Sequence, residues 1–174
     1  MMSGKRKDCY AITESGSGSD VAGITATAHS IDDQYILNGE KWYVTSANLA
    51  DFFWFHARLP DENDEALFLV DKRTDGIEMI ANPPFSHTYA AHHPTFKFNN
   101  VRIPANQRVG KPGDGMAYTH SWFRHERLMI GARSCGAAAR LIEEATAFAS
   151  ERVVNGEPLI EKQAIQFMLA DSAT

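Results

Sequence analysis

The sequence has only two cysteines, Cys9 and Cys135, and neither belongs to a Cys-x-x-Cys pair. The basic start Lys5-Arg6-Lys7 is not followed by the apolar stretch of a secretory signal. Both absences argue against a disulfide-stapled exported protein and for two reduced, interior thiols in a cytoplasmic one. Long hydrophobic runs are also missing. The densest, Phe52-Phe53-Trp54-Phe55, falls far short of the roughly 20 residues needed to cross a bilayer, so no membrane span is expected. Positive charge is in deficit: 17 Lys and Arg stand against 22 Asp and Glu, a formal net charge of −5. That balance sets nucleic acid aside as a partner, because phosphate recognition rests on clustered cations. What is present is apolar material. With 44% hydrophobic and 22% charged residues, the 174-residue chain is globular and suits one domain, or one and a half.

Its character changes once. From Asp8 to about Pro104, short runs rich in β-branched and aromatic residues alternate with turn signals, the pattern of an antiparallel sheet. Candidate strands are Cys9–Thr13, Ile24–His29, Tyr35–Leu37, Lys41–Thr45, Phe52–Ala57, Ala66–Val70, Ile77–Ile80 and Thr95–Ile103. Asn38-Gly39, whose residues tolerate positive φ, is expected to form the hairpin that pairs Tyr35–Leu37 with Lys41–Thr45. From Met116 to about Val153 the turn residues thin out, and Phe123, Ile130, Ala138, Leu141, Ala145 and Phe148 recur at helical spacing. This predicts one long helix. Asn155-Gly156-Glu157-Pro158 ends it, and a second helix is predicted from Glu161 to Thr174. The fold class is therefore α+β, an antiparallel β-barrel or sandwich over residues 1–112 followed by helices over 113–174. So long a helix with so short a companion leaves an apolar face for something else to cover.

Two segments carry chemistry. Tyr10-Ala11-Ile12-Thr13-Glu14-Ser15-Gly16-Ser17-Gly18-Ser19-Asp20 runs from a strand into a Gly/Ser-rich loop, where backbone N–H groups and hydroxyls meet little steric bulk and a planar or anionic ligand can approach. A plain flexible turn has the same composition. In Lys41-Trp42-Tyr43-Val44-Thr45-Ser46, strand alternation puts Tyr43 and Thr45 on one face, an aromatic beside a hydroxyl. The same pair also suits any half-buried strand. The histidines His87, His92 and His93 lack a Cys or carboxylate to complete a ligand set, so no metal is expected. His29, His56, His120 and His125 are scattered and read as structural.

Taken in order, five stretches resemble the acyl-CoA dehydrogenase family. Tyr10–Asp20 is similar to its first signature, and Asn38-Gly39-Glu40-Lys41-Trp42-Tyr43-Val44-Thr45-Ser46-Ala47 to its second flavin-contacting strand. Phe98-Asn99-Asn100-Val101-Arg102-Ile103-Pro104 with Val109-Gly110 resembles the strand leading into the third domain. Glu126-Arg127-Leu128, and then Arg152–Leu159 with Gln163-Ala164-Ile165-Gln166, resemble the first long helix and the loop after it.

The resemblance implies a middle β-domain over 1–112 and, over 113–174, the first helices of an incomplete C-terminal four-helix bundle. It implies FAD held by Tyr10, Ala11, Ile12, Thr13, Gly18 and Ser19, with Tyr43, Val44 and Thr45 packing on the ring and Thr45 near flavin N5. Ser19 and Arg127 would contact an acyl-CoA substrate, while Arg152 and Gln163 would reach the FAD of a neighbouring subunit in a homodimer or homotetramer. The implied reaction is α,β-dehydrogenation of an acyl-CoA thioester, with electron-transfer flavoprotein as partner. Most family members take their base from a later glutamate; Glu126 stands where a minority place it. A flavin oxidase or monooxygenase of the same fold, or a non-catalytic β-domain fragment that self-associates, are the alternatives. Ser15, Tyr43, Val154, Asn155 and the stretch Pro83–Pro94 depart from the family pattern.

Overall fold

The computed structural model describes residues 3–174, which divide into two compact units, the first ending at His120 and the second spanning Ser121–Thr174. In the first unit, β1 (Asp8–Ala11), β2 (Thr27–Ile31), β3 (Gln34–Lys41), β4 (Phe52–Leu59), β5 (Asp64–Asp71), β6 (Ile77–Ala81), β7 (Thr95–Pro104) and β8 (Arg108–Val109) form one sheet. The strand order is β6-β7-β3-β2-β4-β5-β8, with β1 alongside β4. The path runs open from β6 to β8 and does not close into a barrel.

The sheet curls on itself. Although β3 and β2 separate β7 from β4 in the ladder, Phe53 packs on Phe96 and Phe98 at ring-centroid distances of 5.0 and 5.4 Å, and Phe55 on Phe98 at 4.4 Å. Leu37, Val70, Val101 and Phe68 complete this fully buried centre. Alternation delivers these side chains to one face, and edge-on or tilted aromatic pairs add about 0.5–1.5 kcal/mol each beyond their buried area.

The Asn38-Gly39 expectation is overturned. Residues 34–41 run as one strand, and the tight turn before it is Asp32-Asp33, with Asp32 at φ 54° and Ile31 facing Gln34. Asn38 and Gly39 instead sit where the register of β3 against β7 shifts, a bulge. Gly39 is required there by proximity: a Cβ on it would lie 2.6 Å from the Cβ of Ala26. Lys41–Thr45 is likewise not a strand beyond Lys41. The sheet is not wholly antiparallel either, since β1 pairs with β4 in parallel, Asp8 facing Phe52. Cys9 is buried, and burial pushes its thiol up to about 12. Cys135 is exposed, against the expectation that both thiols are interior.

Two buried polar groups organise the sheet. The Lys41 side chain is fully buried and its ammonium donates to the Ile12 carbonyl at 3.0 Å and to Glu14 at 2.7 Å. Burial holds the Lys41 pKa down to about 8 despite the Glu14 charge that raises it. His56, also fully buried, lies 2.9 Å from the Thr119 hydroxyl through Nδ1 and 3.1 Å from Glu65 through Nε2. Thr119 is 2.6 Å from the Tyr10 hydroxyl, so this chain ties β1 and β4 to the first turns of α1 (Gly115–Glu151). Desolvation, with the Lys41 charge adding to it, lowers the His56 pKa to about 4.

In the second unit, α1 continues from Ser121 to Glu151 as one unbroken helix, as expected. It is followed by β9 (Val153–Val154) and β10 (Glu157–Pro158), a hairpin whose turn, Asn155-Gly156, has both residues at positive φ. α2 (Gln163–Ala173) follows. Leu128, Ile130, Leu141 and Phe148 are exposed on α1, as are Phe167 and Met168 on α2. Among the described residues no helix is long and apolar enough to cross a membrane.

Truncating Lys41 to Ala leaves Glu14 as an uncompensated buried charge and is expected to destabilise the first unit by about 3–5 kcal/mol in urea titration. His56 gives a pH dependence. Because its folded pKa lies below the ordinary 6.5, the unfolded chain binds more protons between pH 6.5 and 4, and stability falls as pH drops through that window. At about 1.4 kcal/mol per pH unit, wild type is expected to lose about 3 kcal/mol more than His56→Gln between those limits, read from paired denaturant curves.

Candidate functional site

The Gly/Ser loop and the Tyr43–Thr45 segment are brought together by hydrogen bonds between their first residues. The Trp42 N–H donates to the Thr13 carbonyl at 2.7 Å, one residue past the Lys41 contact to Ile12. Glu14 is fixed from its far side by the Thr25 N–H at 2.6 Å, the Thr25 hydroxyl at 2.7 Å and the Ala26 N–H at 3.0 Å. Burial raises the Glu14 pKa, but the Lys41 charge and these hydrogen bonds outweigh it and hold the carboxyl below its usual range. Glu14 and Ser17 then exchange two backbone hydrogen bonds, and the Ser17 hydroxyl donates to the Asp20 carbonyl at 2.5 Å. The loop is therefore a set of linked tight turns. A Cβ added at Gly16 or Gly18 would meet nothing within 4 Å, so neither glycine is demanded by packing and the loop surface is open.

After Lys41 the chain leaves the sheet. Tyr43 takes φ 52° and Ser46 φ 64°, left-handed conformations that are uncommon for such residues. The Tyr43 ring stays half exposed, flanked edge-on by Trp42 at 5.8 Å and Phe85 at 6.0 Å. Val44 is in the core, and its N–H donates to the Pro94 carbonyl at 2.9 Å. The Ser46 N–H donates to the His92 carbonyl at 2.8 Å, so residues 44–46 and 92–94 are laced together on both sides of Thr45 and His93. The exposed Thr45 hydroxyl is 3.0 Å from His93 Nδ1, and His93 Nε2 is 2.9 Å from His87 Nε2. Burial, with the nearby His87 and His92, lowers the His93 pKa.

The other candidate residues fall as follows. Ala11 and Ile12 are buried, Thr13 is partly so, and Gly18 and Ser19 are exposed. The Tyr10 hydroxyl is taken by Thr119, and burial raises its pKa. In the second unit, Glu126 is half-buried, and the Arg127 guanidinium lies 5.7 Å over the Phe123 ring. Arg152 is exposed and closes the β9–β10 hairpin, its carbonyl accepting from the Leu159 N–H at 2.6 Å. Gln163 opens α2. Sequence reasoning missed His93 and Phe85 as neighbours of the candidate surface. Their signal was the density of histidine and aromatic residues between Pro83 and Pro94. The register of 92–94 against 44–46, which gives that density meaning, is a long-range property.

The first unit thus offers an exposed aromatic ring, an exposed hydroxyl paired with His93 and an open glycine loop with its own hydroxyls. These suit a flat heterocycle carrying an anionic tail, and the residues fit a flavin dinucleotide. The indole N–H of Trp42 is buried and has no hydrogen-bond partner among the described residues, an orphan donor beside this surface.

Residues 9–101 match the family model "Acyl-CoA dehydrogenase, middle domain" and residues 113–174 "Acyl-CoA dehydrogenase, C-terminal domain". The chain is 35% identical to benzylmalonyl-CoA dehydrogenase of Aromatoleum aromaticum, over 98% of this chain and 46% of that protein. It is similar to the crystal structure of a probable acyl-CoA dehydrogenase from Mycobacterium abscessus, with a TM-score of 0.92 and 31% identity over 99% of this chain and 46% of the other. An acyl-CoA dehydrogenase of Bacillus anthracis solved in complex with FAD matches with a TM-score of 0.88 and 28% identity, over 95% of this chain and 28% of the other. The chain spans a little under half the length of the first two of these relatives, and it belongs to the acyl-CoA dehydrogenase family.

Proposed function

We propose that this chain supplies the flavin-facing β-domain (1–112) and the opening helices of the C-terminal domain (113–174) of an FAD-dependent enzyme that desaturates an acyl-CoA thioester between its α and β carbons. The observation that carries this reading is the junction of the two candidate segments, in which the Trp42 N–H is bonded to the Thr13 carbonyl beside the exposed Tyr43 ring and Thr45 hydroxyl. When bound, FAD would supply the redox chemistry by accepting the hydride from the substrate β-carbon.

The residues then take separate tasks. Ala11, Ile12 and Thr13 would present backbone to the ring, Gly18 and Ser19 would hold the pyrophosphate, and Tyr43 and Thr45 would pack on the ring. Tyr10 orders this edge from below through its bond to Thr119. Ser19 and Arg127 would contact the acyl-CoA, and Glu126 would withdraw the weakly acidic α-proton, a task that needs a carboxylate placed by substrate binding. Arg152 and Gln163, both exposed, are free to approach the FAD of a second subunit in a homodimer or homotetramer. Electron-transfer flavoprotein is the proposed acceptor, in the cytoplasm.

FAD titration of the purified chain, followed by flavin fluorescence and absorbance, tests the reading. Saturable binding giving a yellow protein is expected, weakened about tenfold by Tyr43→Ala, the loss of one aromatic contact of about 1.4 kcal/mol. A colourless protein that takes up no FAD overturns it in favour of a non-catalytic domain. Little or no acyl-CoA turnover is expected from these 174 residues alone, since about half of the relatives' length, and with it much of the pocket wall, lies outside them.

A further inference from the structure

In the structure the stretch Pro83–Pro94 brings His93 to the Thr45 hydroxyl and His87 to the far side of His93. The contacts form a single file: Thr45 Oγ1 to His93 Nδ1 at 3.0 Å, then His93 Nε2 to His87 Nε2 at 2.9 Å, with His87 exposed. The file is built rather than incidental. The bonds from Val44 N–H to Pro94 and from Ser46 N–H to His92 fix His93 opposite Thr45, and Asn48 holds the same segment by accepting from the His92 N–H and donating to the Ala90 carbonyl. Phe85 stacks on His87 at 5.5 Å and meets His93 edge-on at 5.6 Å. Phe85 is in turn held by reciprocal bonds with Thr88.

We propose that Thr45, His93 and His87 form a proton relay between the candidate flavin surface and solvent. Every link has one donor and one acceptor if both imidazoles are neutral: the Thr45 hydroxyl donates to His93 Nδ1, and His93 Nε2–H donates to His87 Nε2, leaving Nδ1–H of His87 toward water. The lowered pKa of His93, caused by its partial burial and by His87 and His92, favours that neutral state. His92 stands outside the file, its Nδ1 2.9 Å from the Asn82 amide.

The relay rests on the flavin reading, which gives it a task. FAD bound there would, on giving two electrons singly to a one-electron acceptor, have one proton to lose. Thr45 Oγ1 would take that proton and give its own to His93 Nδ1, His93 would give Nε2–H to His87 Nε2, and His87 would release Nδ1–H to water. One proton enters the file and one leaves it, which reverses the polarity of both hydrogen bonds.

Two measurements test it, and they fail separately. Imidazole 15N spectra of the chain without FAD report the file itself: His87→Phe, which keeps a ring on Phe85, is expected to shift the His93 ring nitrogens and its titration midpoint. Unchanged His93 resonances overturn the relay whether or not FAD binds. With FAD bound, chemically reduced protein is reoxidised by a one-electron dye in H2O and D2O. His87→Ala and His93→Gln are expected to slow reoxidation at least fivefold and to change its solvent isotope effect while FAD affinity is kept, and added imidazole is expected to restore the His87→Ala rate. Equal rates and isotope effects in wild type and both variants overturn the relay. If wild type binds no FAD, the flavin reading fails and the relay with it loses its substrate, whatever the spectra show of the hydrogen bonds.

Discussion

Lys41 and Glu14 form the contact on which the candidate surface depends. Neither side chain has appreciable access to water, so each charge needs the other, and Lys41 donates in addition to the Ile12 carbonyl. The pair joins the end of β3 to the start of the Gly/Ser loop, while Glu14 reaches across to Thr25 and Ala26. Three separate stretches of chain are thereby locked at one point. Losing either partner would strand a charge in the core, which is far costlier than losing a surface ion pair.

From that point the backbone runs outward in two directions. One branch is the string of turns through Ser17 and Asp20, the other the left-handed kink at Tyr43. Tyr43 and Thr45 are exposed on either side of Val44 in the core, so the in-out alternation of this segment persists although the backbone has left strand geometry. The His56–Thr119–Tyr10 chain secures the same region from the other side of β1. Rigid support of this sort is what a surface that must present a few polar groups at fixed positions requires.

Much of this was legible in the sequence, and what was not has a common cause. Local pattern located the strands, the long α1 and the break after it, because alternation and helical spacing are properties of neighbouring residues. The two Asn-Gly pairs show the boundary of that reasoning. Asn155-Gly156 makes a two-residue hairpin, as such pairs favour, whereas Asn38-Gly39 makes a bulge because the Ala26 backbone passes too close for any side chain. The same holds at the candidate site. Tyr43 and Thr45 were found from local sequence and a family resemblance, but His93 reaches Thr45 only through a pairing some fifty positions away, as does Glu14 its lysine across nearly thirty.

The parallel pairing of β1 with β4 bears on the order in which the molecule assembles. β4 and β5 meet across a four-residue connection, a closure of low entropic cost, whereas Asp8 must find Phe52 after everything between them has been placed. The amino-terminal strand, with the glycine loop attached to it, therefore docks at a higher entropic cost than a hairpin strand, and the buried Lys41–Glu14 pair and the Tyr10–Thr119 bond help to offset it.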